Sequence, residues 1–289
     1  MPYQSIYRPG CFEGQVVIVT GGGSGIGRCT AHELASLGAV VAICGRNPDK
    51  LNTVVGEISE DGGRAHALTC DIRDEAAVGT TIDQVLKQHG RIDGLVNNAG
   101  GQYRMAAKDI STKGFEAVVR NNLTGGFVFM REVYLRWMQA HGGAIVNMIA
   151  DIWHGWPDMA HSGAARGGMW TLSESLACEW AESGVRVNCV APGGIASSGF
   201  DTYSPEAKAK ILDYAQRVPM QRFGTEAEVS SAIVYLLSPG AAYITGTCIR
   251  IDGGAPNARQ TWTLTAHQRS KPFEGFHRAT LPELLKTGR

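Results

Sequence analysis

The sequence predicts an α/β fold, one domain with a doubly wound parallel sheet of about seven strands, and three observations predict it. Short β-branched runs alternate with longer segments of helical period, which is the pattern of βα units. The runs are apolar almost throughout instead of at every second residue, so both faces of the sheet are expected to be covered by helices. The first run leads directly into a glycine-rich turn. A chain of 289 residues is long enough for one large core and short for two.

The expected strands are Val16 to Thr20, Val40 to Cys44, Ala65 to Cys70, Gly94 to Asn97, Ala144 to Met148, Arg186 to Val190 and Cys248 to Ile251. Between them, Gly25 to Ser36, Lys50 to Glu60, Glu75 to Gln88, Lys113 to Ala140, Ala164 to Ser183 and Glu226 to Leu237 have helical length and spacing. The domain is expected over 14–254, preceded by an N-terminal tail at 1–13 and followed by a C-terminal extension at 255–289. Ile195 to Met220 breaks the alternation near the expected ligand edge, so a substrate lid is expected there, near 195–220. The extension is polar and basic, with Trp262, Phe273 and Phe276 as candidate docking anchors. It is expected either to cover a neighbouring subunit's site or to be loose.

Composition excludes several classes. Lys plus Arg and Asp plus Glu are both 27, so no field of one sign gathers nucleic acid or an anionic membrane. No stretch approaches the roughly 18 apolar residues of a spanning helix, and MPYQSIYRPG lacks the features of a secretory leader. A soluble, cytoplasmic protein is expected. The seven cysteines are spread without disulfide or zinc spacing, so reduced thiols and no metal are expected.

The chemistry begins at Thr20, where the first strand runs into Gly21-Gly22-Gly23-Ser24-Gly25-Ile26-Gly27 and a helix. Glycines permit a tight turn and close backbone approach, and the helix N-terminus offers free N–H groups to a pyrophosphate. Gly21, Ser24, Gly25, Ile26 and Gly27 are therefore candidate dinucleotide contacts in a Rossmann-like fold. After the second strand a carboxylate would suit the ribose of NAD, and a cation the extra phosphate of NADP. The chain has Arg46 there, with Lys50 one turn on, so NADP(H) is expected with Arg46 on the 2′-phosphate. The alternative for Arg46 is a solvated loop arginine stacking on adenine.

Ordered motifs then give a resemblance to the short-chain dehydrogenases/reductases over roughly Gly14 to Gly254. They are TGGGSGIG, Asp71 in CDIRD, Asn97-Asn98-Ala99-Gly100, Asn122 in NNLTGG, Val187-Asn188 before Ala191-Pro192-Gly193, and Asp252-Gly253-Gly254. The resemblance implies that Asp71 and Ile72 bracket the adenine, that Asn98, Ala99 and Gly100 line the cofactor, and that the loop Pro192, Gly193 to Ile195 holds the nicotinamide carboxamide. It also implies a homotetramer, through the segments 113–140 and 164–183.

Where most of the family carries a serine after the fifth strand and a Tyr-x-x-x-Lys pair on the next helix, this chain departs. Ile149 or Ala150 stands at the serine, Ser162 at the tyrosine and Arg166 at the lysine. A serine hydroxyl is a far poorer acid than a phenol, whose ordinary pKa is about 10, and arginine holds its proton. Arg166 retains the ability to hold the nicotinamide ribose and to stabilise negative charge. Reduction of a carbon–carbon double bond conjugated to a thioester fits that inventory, because hydride addition leaves an enolate that needs electrostatic stabilisation.

Within the family the chain is most similar to the peroxisomal trans-2-enoyl-CoA reductases, through Gly100-Gly101-Gln102, NLTG and His161-Ser162-Gly163-Ala164-Ala165-Arg166, and is also similar to the 2,4-dienoyl-CoA reductases. Two features depart from the first group: Trp170 stands where it shows an aromatic hydroxyl, and the chain closes on Lys286-Thr287-Gly288-Arg289 without the peroxisomal tripeptide.

Asn122, or Asn121 if the register shifts by one, is expected to interrupt its helix and hold a water or substrate oxygen. Tyr103 is the candidate proton donor or enolate partner, with packing over the substrate as its alternative. His154, Asp158 and His161 are expected in surface or packing roles. Trp153, Trp156, Met159 and Trp170 form an apolar loop suited to a hydrophobic acyl or terpenoid chain, or to a subunit contact. Lys208, Lys210 and Arg217 are candidates for coenzyme A phosphates, or a solvated helix face. Three functions are therefore expected to compete: an NADPH-dependent enoyl-CoA reductase, a dehydrogenase or reductase of hydrophobic alcohols or carbonyls, and a cofactor-binding protein of weak activity.

Overall fold

Seven strands form one parallel sheet: β1 (Val16–Thr20), β2 (Val40–Gly45), β3 (Arg64–Thr69), β4 (Gly94–Asn97), β5 (Gly143–Met148), β6 (Val185–Pro192) and β7 (Cys248–Ile251). Their spatial order is β3-β2-β1-β4-β5-β6-β7, so the chain reverses its direction of travel between β1 and β4. In such sheets ligands bind beyond the carboxyl ends of the strands at that switch point. The computed structural model describes residues 2–202, 208, 211–258 and 263–286.

Helices α1 (Gly25–Ser36) and α2 (Pro48–Glu60) cover one face, and α3 (Glu75–His89) packs on the other. The apolar strands divide between two cores accordingly. Val17, Val19, Val41 and Ile43 pack with Leu34, Leu51 and Ile58, while Ile18, Leu95, Ile145 and Val187 pack with Val78, Ile82 and Phe129. The continuous burial of β1 and β4 explains why those runs do not alternate. β3 and β7, at the edges, are only part-buried.

The segment expected as one helix from Lys113 to Ala140 is interrupted twice. α4 (Thr112–Val119) opens into a wide π turn at Arg120–Thr124, α5 (Gly125–Val133) follows, and a second wide turn at Tyr134–Met138 precedes Gln139–His141. π turns inside helices concentrate at functional sites, and the first of these carries Asn122. α6 (Ala160–Glu179) starts four residues before the expected Ala164, and a separate 3₁₀ turn, Ala181–Ser183, completes that segment. A buried chain of side-chain bonds fixes α6 on the sheet: Asn97 donates to Asn147 at 3.0 Å, and Asn147 donates to Ser173 at 2.8 Å.

The insertion after β6 contains a 3₁₀ turn, Ser198–Thr202, and α7 (Tyr214–Arg217). α8 (Glu226–Leu237) then begins with a reciprocal cap, Thr225 accepting from the Glu228 N–H and Glu228 accepting from the Thr225 N–H. The last described element is α9 (Glu283–Lys286).

The segments around Tyr3 and around Phe276 dock on the domain, so of the two expectations for the extension, looseness does not hold for its described part. Phe276 is buried with Tyr3 and Cys29, Phe273 packs beside them, and the Gln4 N–H donates to Gly275. Arg278 pairs with Asp61 at 3.1 Å, tying the extension to the end of α2. The third expected anchor, Trp262, lies outside the described residues. Among the described residues all seven cysteines are free, no group of ligands could hold a metal ion, and no helix is long and apolar enough to cross a membrane.

Candidate active site

A cleft of about 220 Å³ opens at the switch point, lined by Gly21, Gly23, Ser24, Gly45, Arg46, Asn47, Lys50, Leu51, Cys70, Asp71, Ile72, Ala99, Gly100 and Asn121. Its floor is the turn between β1 and α1. Gly21 sits at φ +69°, a conformation that glycine adopts without cost, and a Cβ at Gly27 would lie 2.4 Å from the Gly21 carbonyl oxygen. Ser24 occupies the N-cap of α1 but its side chain bonds none of the first-turn N–H groups, which leaves them for an anion. Asn98 holds the turn from the side, donating to the Thr20 carbonyl at 2.9 Å.

Charge is distributed along this cleft. Arg46 and Lys50 are exposed at its mouth and form no ion pair among the described residues. Asp71 is engaged by Arg73 through two short bonds, which hold its carboxyl down at about 2, so it is ionised throughout the physiological range. Ile72 is buried against Gly125.

At the deeper end, three residues converge from three elements. Arg166, on α6, is 7% exposed and donates through Nη1 to the Met148 carbonyl at 2.5 Å. A Cβ at Gly100 would meet Arg166 Nη2 at 2.5 Å and Asn122 Oδ1 at 2.6 Å, so only glycine lets that backbone lie against both. Asn122 accepts from the Gly101 N–H at 3.2 Å and donates to the Gly101 carbonyl at 2.7 Å and to Val118 at 2.9 Å. Asn122, not Asn121, is thus the buried member of the pair. Arg166 forms no ion pair among the described residues, its Nε has no partner, and burial pushes the guanidinium down to about 10. It remains charged at neutral pH, and a buried cation without a counter-charge calls for an anionic or electron-rich ligand.

The other expected residues lie beyond this cluster. Ser162 is fully buried, against the His161 ring. Tyr103 packs on His161 with 4.6 Å between ring centroids, and its hydroxyl touches the first turn of α4 at Gly114. Pro192, Gly193 and Ile195 do not line the cleft described above. Their loop is pinned to Gly224, and Gly194 opens on a second cleft of about 330 Å³ with Tyr214, Arg222, Arg250 and Asp252. In the apolar loop Met159 is buried and Trp153 lies under Arg250, so much of that loop is committed to the chain's own packing. Arg217 pairs with Asp213 on an exposed face, and Lys210 lies outside the described residues.

Sequence reasoning missed one residue, Tyr214. His161, expected in a surface or packing role, takes the packing one and is fully buried beside Ser162. Tyr214 accepts from the Gly194 N–H at 3.0 Å and fills the space beside Gly193 and Gly194. Nothing in the insertion marked Tyr214.

The arrangement has known counterparts. A family model described as Enoyl-(Acyl carrier protein) reductase matches residues 21–256. The chain belongs to the short-chain dehydrogenase/reductase family. It is an oxidoreductase of that family, and the family uses a nicotinamide dinucleotide, which the open α1 terminus, the glycine cradle and the unpaired Arg166 fit. The chain is 35% identical to the peroxisomal, (3E)-enoyl-CoA-producing 2,4-dienoyl-CoA reductase of Danio rerio, over 88% of this chain and 85% of that one. It is also 35% identical to a Bacillus subtilis (strain 168) protein named "Probable 2,4-dienoyl-CoA reductase [(2E)-enoyl-CoA-producing]", over 84% and 96%. Among solved structures it is similar to the citronellol catabolism dehydrogenase AtuB of Pseudomonas aeruginosa PAO1, with 54% identity, 88% of this chain and 100% of that one covered, and a TM-score of 0.80.

Proposed function

We propose that this oxidoreductase is an NADPH-dependent reductase of the double bond in a trans-2-enoyl-CoA or a similar conjugated acyl thioester. One observation carries the reading: the position of the family's phenol holds the buried Ser162, while one turn on Arg166 keeps a cation with no ion-pair partner among the described residues, beside Gly100 and Asn122. Such a site is furnished to stabilise an oxyanion and poorly furnished to protonate an alkoxide. The 2,4-dienoyl-CoA reductase names of the relatives above support it.

The dinucleotide, when bound, supplies the hydride. Gly21, Ser24, Gly25, Ile26 and Gly27 would seat its pyrophosphate on the N-terminus of α1. Asp71 and Ile72 would bracket its adenine, Asn98, Ala99 and Gly100 would line the dinucleotide, and Pro192, Gly193 and Ile195 would hold its carboxamide. Arg166 would hold the nicotinamide ribose and draw the negative charge that develops on the thioester oxygen, with Asn122 orienting the Gly100–Gly101 backbone beside it.

For the cofactor, Arg46 and Lys50 at the mouth of the cleft support NADPH over NADH. Replacing Arg46 with Asp is expected to shift the ratio of kcat/KM for NADPH over NADH toward NADH by about 30- to 100-fold, the loss of one charge-assisted phosphate contact with repulsion added. Steady-state kinetics with both cofactors check this, and an unchanged ratio removes the assignment.

The experiment for the function itself is a substrate panel. NADPH oxidation with crotonyl-CoA and with longer trans-2-enoyl- and 2,4-dienoyl-CoA thioesters is expected, with no comparable rate on aldehydes. A second reading, interconversion of hydrophobic alcohols and carbonyls, is favoured by the name of the Pseudomonas protein. Citronellol with NADP⁺ therefore belongs in the panel, and turnover confined to alcohols or aldehydes overturns the first reading.

A further inference from the structure

His161 has one ring nitrogen occupied and one left over. The Ser162 N–H donates to Nδ1 at 2.8 Å, and Ser162 Oγ lies 3.3 Å from the same atom. A ring nitrogen that accepts carries no proton, so the ring proton sits on Nε2, which is then a donor. Nε2 is buried and has no partner among the described residues. A buried donor left without an acceptor is costly, and in a native protein it calls for a partner, an ordered water or a ligand, or for a catalytic role. Tyr103, 37% exposed, packs on this ring, so displacement of Tyr103 would uncover the ring. The loop entering α6 also holds His154 and Asp158 at φ +71° and +63°, backbone strain of the kind that clusters at active sites.

The geometry points to His161 as a catalytic hydrogen-bond donor, its Nε2–H meeting the thioester oxygen of the acyl-CoA, a role that rests on the function proposed above. Hydride addition forms a new C–H bond at the β-carbon, and the π electrons move to leave an enolate oxyanion. Nε2–H stabilises that oxygen without giving up its proton, as an uncharged imidazole can. Water then protonates the α-carbon and the carbonyl re-forms. The enolate is thereby held by a donor adjacent to the position where the family carries its phenol.

The test uses the full chain with NADPH and crotonyl-CoA. His161→Phe keeps a flat ring without a donor, and His161→Gln restores an amide N–H. The expected result is a kcat about 100-fold lower for the Phe variant, the scale of losing one oxyanion donor, with KM for NADPH unchanged and at least about tenfold of the loss recovered by Gln. In wild-type protein with ¹⁵N-labelled histidine, NMR should show the His161 proton on Nε2, and that signal should move when NADP⁺ and crotonyl-CoA are added. A folded Phe variant with wild-type kcat, a proton on Nδ1, or a signal indifferent to crotonyl-CoA overturns the role. If the Phe variant does not fold, the Gln variant and the spectrum decide. If wild-type enzyme reduces only carbonyls, the function proposed above fails separately; the loss of kcat on those carbonyls in the Phe variant then retains the donor, and its absence removes it.

Discussion

Arg166→Ala is expected to lower kcat by about a thousandfold while the protein stays folded. A cation stabilising a developing oxyanion in a dry site is worth about 3–4 kcal/mol, which is the hundred- to thousandfold range seen when one such group is removed. Stability responds differently. The guanidinium is held by a single carbonyl, at Met148, and meets no carboxylate among the described residues. Removing it deletes a buried charge whose desolvation costs several kcal/mol, and that relief offsets the cavity left by the side chain. The Arg166→Ala variant should therefore melt within a few degrees of wild type and still bind NADPH through the α1 cradle. Kinetics, fluorescence titration with NADPH and a thermal melt measure these separately. Arg166→Lys adds a discriminating result: a point charge without the planar fork should recover part of the rate. Wild-type kcat in the Ala variant would remove Arg166 from the mechanism.

The parts of this molecule that the sequence disclosed are those where one residue type answers one local demand. Gly21 and Gly27 are glycines because the backbone turns and presses on itself there, so the cradle could be read from the chain alone. The strands were legible because their burial is continuous, as at Val16–Thr20. Asn122 was legible to within one position, since a helix of this apolar pattern gives no sign of where a π turn will add its extra residue. The rest depended on partners distant in sequence. Phe276 docks only because Tyr3 and Cys29 are brought to it, and Tyr214 reaches Gly194 across twenty residues of insertion. For His161 the sequence left surface and packing roles open, and the packing depends on Tyr103, which arrives from the loop after β4.

The same dependence on distant partners produces a pH effect at Glu226. This residue is the first of α8, is 9% exposed, and places Oε1 3.8 Å from the Cβ position of Gly25, immediately beside the phosphate cradle. The nearby cation, Arg28, is already bound to Glu57 by two bonds of 2.8 Å. Burial therefore dominates and pushes the Glu226 carboxyl up to about 7. The folded protein binds this proton more tightly than the unfolded chain does, so its contribution is complete below about pH 4.5 and is lost as pH rises through about 7. The full shift corresponds to roughly 3 kcal/mol, and the favourable placement of a carboxylate at a helix N-terminus reduces it to roughly 2–3 kcal/mol.

Glu226→Gln should match wild type in stability near pH 4.5 and exceed it by roughly 2–3 kcal/mol at pH 8, read from urea unfolding at a fixed protein concentration. NADPH affinity should follow the same course, because an ionised Glu226 beside Gly25 repels the pyrophosphate and the amide does not. The wild-type Kd should rise between pH 6 and pH 8 while that of the Glu226→Gln variant stays level. A stability difference between the two proteins that is independent of pH would mean that Glu226 ionises freely and that another group governs the alkaline limb.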